Sequence, residues 1–189
     1  MKKCSAFEKS LRLLLILFAL LCCDGYSSRC KQYTKDVGNG FLLRPLVPSD
    51  AAFVDSRWPH QSGKSLRMIR RQIEGDQKNG TTYCLGIEWN AADNTHSPEL
   101  VACIIRYQNG ALGAIHIDER FRRRGFAATL LAEATKALER NQEPCFAYIL
   151  DGNGPSEALF SQQGWVRADP LAPKGTGRRR AKRKWVKMI

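Results

Sequence analysis

The hexapeptide Arg122-Arg123-Arg124-Gly125-Phe126-Ala127 constrains the fold more than any other part of the chain, because of what flanks it. Before it, Leu112-Gly113-Ala114-Ile115-His116-Ile117 reads as a strand. After it, the run from Ala127 to Arg140 sets Leu130, Leu131, Ala134 and Leu138 on one face of a helix. A strand that passes through a basic glycine turn into a helix leaves free backbone N–H groups, and the positive end of the helix dipole, at the turn. Such a junction binds anions and suits a pyrophosphate.

The rest of the chain supplies a sheet for this junction. Gly40 to Pro45 reads as a short strand ended by proline, and Pro48-Ser49-Asp50 opens a helix toward Trp58. A second helix runs from Ser65 to Glu74, with Leu66, Ile69 and Ile73 on one face and Gly75 as its predicted stop. Thr81 to Trp89 and Glu99 to Tyr107 are rich in β-branched and aromatic residues, as strands are, and Asn109-Gly110 signals a hairpin into the 112–117 strand. These three runs form an antiparallel meander. Beyond the helix ending at Arg140 come a strand from Cys145 to Leu150 and a short helix from Ser156 to Gln163, with Pro155 near its first turn and Gly164 at its end. A strand at Trp165-Val166, a basic Gly/Pro loop over 170–183 and a closing strand from Trp185 to Ile189 complete the pattern. The order β-α-α-β-β-β-α-β-α-β-β predicts an α/β (α+β) fold with a mixed central sheet covered by helices.

A chain of 189 residues can bury a sizeable core in one domain. Its net charge of +12 is unevenly spread, since seven of the eleven residues from Lys174 to Lys184 are Lys or Arg. The global charge therefore says little about the core. Residues 1–30 differ in kind. Lys2, Lys3, Lys9 and Arg12 precede the apolar run Leu13 to Cys23, and Asp24-Gly25-Tyr26-Ser27-Ser28 follows. That run is shorter than the about 20 residues a membrane span needs. The pattern resembles a secretory signal peptide or a short membrane anchor, with a mitochondrial presequence as the alternative. The expected organisation is a signal-like or anchor segment at 1–30, a linker at 31–39 and one domain over 40–189, in the secretory pathway or associated with a membrane. In that compartment Asn79-Gly80-Thr81 is a usable glycosylation sequon. Cys30, Cys84, Cys103 and Cys145 read as buried thiols, and no Cys/His spacing supports a metal site.

The Arg122-x-x-Gly125-x-Ala127 turn after the 112–117 strand resembles the pyrophosphate motif Gln/Arg-x-x-Gly-x-Gly/Ala of the GCN5-related N-acetyltransferase superfamily. Ile117-Asp118-Glu119-Arg120-Phe121 stands where that family has Val-x-Pro-Glu-Tyr. Asn153-x-x-Ser156-x-x-x-Phe160 with Gly164-Trp165 is similar to the family's second motif, Asn-x-x-Ser-x-x-x-Tyr followed by Gly-Phe. Within the superfamily, the segment Leu46 to Trp58 and the entry Gly110-Ala111-Leu112-Gly113 look like the glycine N-acyltransferase-like and FR47-like branch. That branch usually carries a further N-terminal domain, and here a targeting-like segment stands in its place. The resemblance implies a mostly antiparallel sheet flanked by helices, with acetyl-CoA or another acyl-CoA as co-substrate and no metal.

It also implies roles. The backbone of Arg123, Arg124, Gly125, Phe126 and Ala127 would cradle the pyrophosphate, and the side chains of Arg122, Arg123 and Arg124 would add charge-assisted bonds. The backbone of Ile117 and Glu119 would pair with the pantetheine arm, and Asn153 would hold the same arm. Direct attack of an amine on a thioester needs a route for the amine proton and a donor to the thiolate. The family's usual tyrosine donor falls at Phe160, and the acidic base proposed for the glycine acyltransferase branch falls at Ala111. His116, Glu119 and Ser156 are the candidate catalytic residues, with Asp118 beside them. His116 is the best base among them by its ordinary pKa, and equally reads as a hydrogen-bonded structural histidine.

The function expected is acyl transfer from acyl-CoA to a primary amine of a small molecule or amino acid. The alternative is a catalytically inactive acyl-CoA-binding protein, or a basic nucleic-acid-binding protein, on the same fold. The 174–184 run reads as a solvated hairpin loop, with a nuclear-localisation-like patch or a surface for nucleic acid or anionic membrane as its alternatives. Trp58, Trp89, Trp165 and Trp185 read as core or edge aromatics rather than stacking platforms for bases.

Overall fold

Alternation of apolar and polar residues builds one sheet of eight strands in the computed structural model, which describes residues 33–57, 63–90, 97–168 and 182–188. The strands are β1 (Lys35–Gly38), β2 (Phe41–Pro45), β3 (Leu85–Trp89), β4 (Glu99–Arg106), β5 (Leu112–Ile117), β6 (Phe146–Leu150), β7 (Trp165–Arg167) and β8 (Lys182–Lys187). They lie in the order β1-β2-β3-β4-β5-β6-β8-β7, and every neighbouring pair is antiparallel except β5 and β6. The hairpin between β4 and β5 forms at Asn109-Gly110, where Gly110 takes a φ of +86° and the Tyr107 N–H donates to the Ala111 carbonyl at 2.8 Å. Between β5 and β6 the register joins only Leu112 to Ala147. The two strands part beyond that point.

Helices cover the sheet. On one side are α1 (Ala51–Ser56), entered through a 3-10 turn at Pro48–Asp50, and α2 (Gly63–Lys78). Val54, Ile69 and Ile73 from these helices pack with Leu46, Cys103 and Ile105 in one buried cluster. The helix α3 (Phe126–Arg140) lies on β3, β4 and β5 and buries Leu130, Leu131, Ala134, Ala137 and Leu138. Each of its three fully buried leucines contributes about 1.5–3 kcal/mol by leaving water. A last helix, α4 (Gly154–Gln162), leads into β7 through Gly164 at φ +75°. The mixed, mostly antiparallel sheet flanked by helices is the architecture read from the sequence.

Four boundaries differ from the sequence reading by more than two residues. The linker assigned to 31–39 contains β1, which pairs with β2 and is tied to α3 by the Lys35 Nζ to Glu133 Oε1 ion pair at 3.0 Å. Its alternating pattern is invisible because it lies at the sheet edge with little buried. The second helix passes Gly75 and ends at Lys78, since Gly80, not Gly75, takes the left-handed conformation, at φ +65°. Asp76, just past Gly75, accepts hydrogen bonds from the backbone N–H groups of Tyr83 and Cys84 at 2.8 and 2.7 Å, and so ties the helix end to the start of β3. That strand begins at Leu85 rather than Thr81, and the closing strand begins at Lys182 rather than Trp185. Cys84, Cys103 and Cys145 are buried free thiols as expected. The readings of residues 1–30, Trp58 and 174–181 lie outside the described residues. No helix among the described residues is long and apolar enough to cross a membrane.

Candidate active site

At the end of β5 the chain turns through a short 3-10 segment, Glu119–Phe121, capped by Asp118, whose carboxylate accepts the Arg120 N–H at 3.1 Å. Phe121 is buried there, and Arg122 returns the chain to an extended conformation. Arg123 at φ +62° and Gly125 at φ +81° then reverse the backbone into α3. Gly125 is the N-cap of α3 and offers no side chain to its first N–H groups. The four orphan donors of the helix start therefore face outward, with the positive end of the dipole behind them. A Cβ at Gly125 would meet nothing within 4 Å, so the requirement for glycine is conformational.

A cavity of about 450 Å³ opens in front of this turn. Ile117, Arg122, Arg123, Gly125 and Ala127 line one wall, and Ser156 on α4 lines the other. Phe126 also reaches this wall but is buried, its ring 4.8 Å from that of Phe41. Arg124, read as a phosphate ligand, goes elsewhere: its guanidinium lies 5.6 Å from the ring centre of Phe41 and 5.5 Å from that of Phe121. The left-handed residue before it and the buried aromatic cluster turn it away from the cavity. The side chain of Glu119 is also placed away from the catalytic role read for it. It is 83% exposed, pairs with Arg122 at 3.2 Å and lines neither this cavity nor the next. Asn153, read as a ligand of the pantetheine arm, caps α4, with its Oδ1 accepting the Ser156 N–H at 3.4 Å.

On the other side of β5 lies a second cavity, of about 590 Å³, lined by Arg57, Met68, Tyr107, Tyr148, Leu150 and Lys182 among others. Ile115 and His116 line both cavities. The two cavities therefore adjoin at these residues, on the stretch of β5 that has parted from β6. Ala114, one residue before this meeting point, takes φ +49° at an irregularity in the β4–β5 register and turns the strand outward. The His116 ring stands edge-on to Phe53 with centres 6.2 Å apart. Burial lowers its pKa below the usual histidine value, and the nearby charges of Arg57 and Arg122 lower it further, so the imidazole is neutral at pH 7.

The Tyr107 hydroxyl and the Cys103 thiol are protonated at that pH, because burial pushes each up to about 12. Phe160, at the position of the family's tyrosine, is buried edge-on against Trp165 with ring centres 5.0 Å apart and lines neither cavity. Ala111, at the position of the branch's acidic residue, is fully buried. Among the described residues no group of His, Cys, Asp and Glu could hold a metal ion. The second cavity is the part of the site that the sequence did not disclose. Its walls come from α1, α2, β5, β6, β8 and the β4–β5 hairpin, and no local motif links them.

Residues 92–170 match the family described as FR47-like protein. No curated protein matches the chain in sequence. Among solved structures, a Drosophila protein superposes with a TM-score of 0.60 at 23% identity, covering 87% of this chain, which spans about half (48%) of that protein's length. Arabidopsis thaliana NAA60 in complex with acetyl-CoA superposes with a TM-score of 0.61 at 15% identity, covering 79% of this chain and 99% of its own. The Salmonella typhimurium acetyltransferase yncA with its cofactor acetyl-CoA gives 0.58 at 14% identity, over 78% of this chain and 92% of its own. The chain has the GCN5-related N-acetyltransferase fold, with an FR47-like match across the segment that builds its anion-binding turn.

Proposed function

We propose that this protein transfers an acyl group, acetyl in the simplest case, from acyl-CoA to a primary amine of a small molecule. One observation carries the reading: Ile115 and His116 line both the cavity at the anion-binding turn and the larger, mostly apolar one, on a strand that has just parted from its neighbour. In this reading the pyrophosphate sits on the N–H groups of Gly125 to Ala127, with Arg122 and Arg123 adding charge-assisted bonds. The pantetheine arm follows the open side of β5 toward His116 and brings the thioester to the meeting point. Solved structures of this fold with acetyl-CoA or coenzyme A bound support that donor.

The amine enters from the 590 Å³ side. Its nitrogen forms a bond to the thioester carbonyl carbon, the carbon–sulfur bond breaks, and the coenzyme leaves as thiolate. The proton lost by the nitrogen passes to His116, whose neutral imidazole lines both cavities. Ser156, on the turn side only, is the hydroxyl available to the departing sulfur. The Glu119 side chain takes no part in the proton transfer.

A coenzyme A release assay and equilibrium binding of acetyl-CoA together test this reading. Gly125→Glu places a carboxylate on the anion site and is expected to abolish both. Unchanged affinity in a folded variant contradicts the assignment of the turn. Saturable acetyl-CoA binding by the parent protein with no release for any amine contradicts catalysis.

A further inference from the structure

We infer that the acceptor amine also bears a carboxylate and a bulky apolar group, the chemistry of an apolar amino acid, with Arg57 and Lys182 holding the carboxylate. This rests on the transferase reading above and concerns the other end of the same site. No Asp or Glu lines the second cavity, while Arg57 and Lys182 both do. Arg57 approaches Asp118 only at 3.9 Å, and that carboxylate is already engaged by Arg120 through bonds of 3.1 and 3.2 Å. Lys182 has no ion-pair partner among the described residues. Two surface cations would ordinarily be solvated. These two border a concavity whose remaining wall is mostly apolar, with Gln108, Asn109 and His116 as its other polar side chains apart from the Tyr107 and Tyr148 hydroxyls.

That wall is the second observation. Tyr148 and Leu150 are 47% and 42% exposed, two of the four large hydrophobic side chains that the described residues leave open to solvent. They alternate on β6 with buried Ala147 and Ile149, so both face the cavity side of the sheet. Register places Leu150 opposite Lys182 and Tyr148 opposite Lys184. Each exposed apolar group thus has a cation across the strand pair. Met68 and Tyr107 close the far side. A ligand that covers this surface needs an apolar body and a negative end, and its amine must reach His116. Glycine supplies the charge but leaves the apolar wall wet, and a simple alkylamine covers the wall but leaves the cations unanswered.

The test uses the full chain, acetyl-CoA at fixed saturating concentration, and coenzyme A release as readout. The acceptors are phenylalanine, phenethylamine (the same body without the carboxylate), glycine and a short peptide with a free N-terminus. Phenylalanine is expected to exceed phenethylamine and glycine by at least tenfold in kcat/KM. Arg57→Gln should raise the KM for phenylalanine about tenfold, equivalent to about 1.4 kcal/mol, while the acetyl-CoA dissociation constant stays within twofold. Equal use of phenethylamine and phenylalanine overturns the inference and leaves the transferase reading standing. A preference for the peptide, or an Arg57→Gln variant with unchanged KM, overturns it as well. No coenzyme A release with any acceptor, despite acetyl-CoA binding, removes the transferase reading and the inference with it.

Discussion

Replacing Gly113 by alanine should displace the wall of the acceptor cavity. A Cβ on Gly113 would lie 2.4 Å from Cε2 of Tyr107 and 3.2 Å from its Cζ and hydroxyl oxygen. Carbon atoms pack best at about 3.5–4.0 Å, so the ring must retreat by about 1 Å or more. It cannot do so freely, because the half-buried ring packs against the cluster of Leu46, Val54 and Ile69. Overpacking of this kind costs about 1–3 kcal/mol. For a protein of this size each kcal/mol lowers Tm by about 2–4 °C. Thermal and urea melts of Gly113→Ala should show that loss with an unchanged m-value. Tyr107→Ala removes the obstructing ring, so in the double variant the glycine substitution should be nearly neutral. The coupling between the two should reach about 1 kcal/mol. The KM for the acceptor should rise in Gly113→Ala, while acetyl-CoA affinity, set on the other side of β5, is unchanged. Additivity within about 0.5 kcal/mol, or a Gly113→Ala variant as stable as the parent, would refute the packing argument.

Two further predictions separate roles within the site. Arg123→Ala should weaken acetyl-CoA binding because Arg123 lines the cavity at the turn, whereas Arg124→Ala should leave binding alone and lower stability by about 0.5–1 kcal/mol through loss of its contacts with Phe41 and Phe121. Isothermal titration and thermal melts of the pair distinguish these, and a reversed pattern contradicts the geometry. The pKa of His116 is lowered by burial, so as a base it is competent above its titration and lost as pH falls through it. The acid limb of kcat/KM should therefore be centred below about 6.5, the ordinary histidine value, and should vanish in His116→Gln. A limb centred above that value, or one that survives the substitution, excludes His116 as the base.

The junction from Leu112 to Arg140 was legible because it is local: an apolar strand, a turn that needs a left-handed residue, and a helix with one apolar face. Asn109-Gly110 was legible for the same reason. Arg122, Arg123 and Arg124 were indistinguishable in sequence, and only the three-dimensional cluster of Phe41, Phe121 and Phe126 shows why the third turns away. Asn153 was singled out by its place in the motif, and the fold adds that its Oδ1 caps α4. Lys35–Gly38 escaped notice because an exposed edge strand has no buried face to impose alternation. The acceptor cavity joins residues as distant as Arg57 and Lys182, and it comes into being only when β8 is laid beside β6.

The single register pair between β5 and β6 gives the molecule a sheet edge in its interior. Beyond Leu112 and Ala147, neither strand pairs its backbone with the other, although each pairs with its other neighbour, β4 or β8. Backbone amides and carbonyls that lack a strand partner must be met by water or by a guest that carries amides of its own. The opening is thus written in the main chain rather than in the side chains around it. Substitutions along its walls can change which molecule is accepted, while the gap itself persists as long as the two half-sheets fold. Side-chain variation on Tyr107, Tyr148 or Leu150 can therefore alter the acceptor without dismantling the place where acyl transfer would occur.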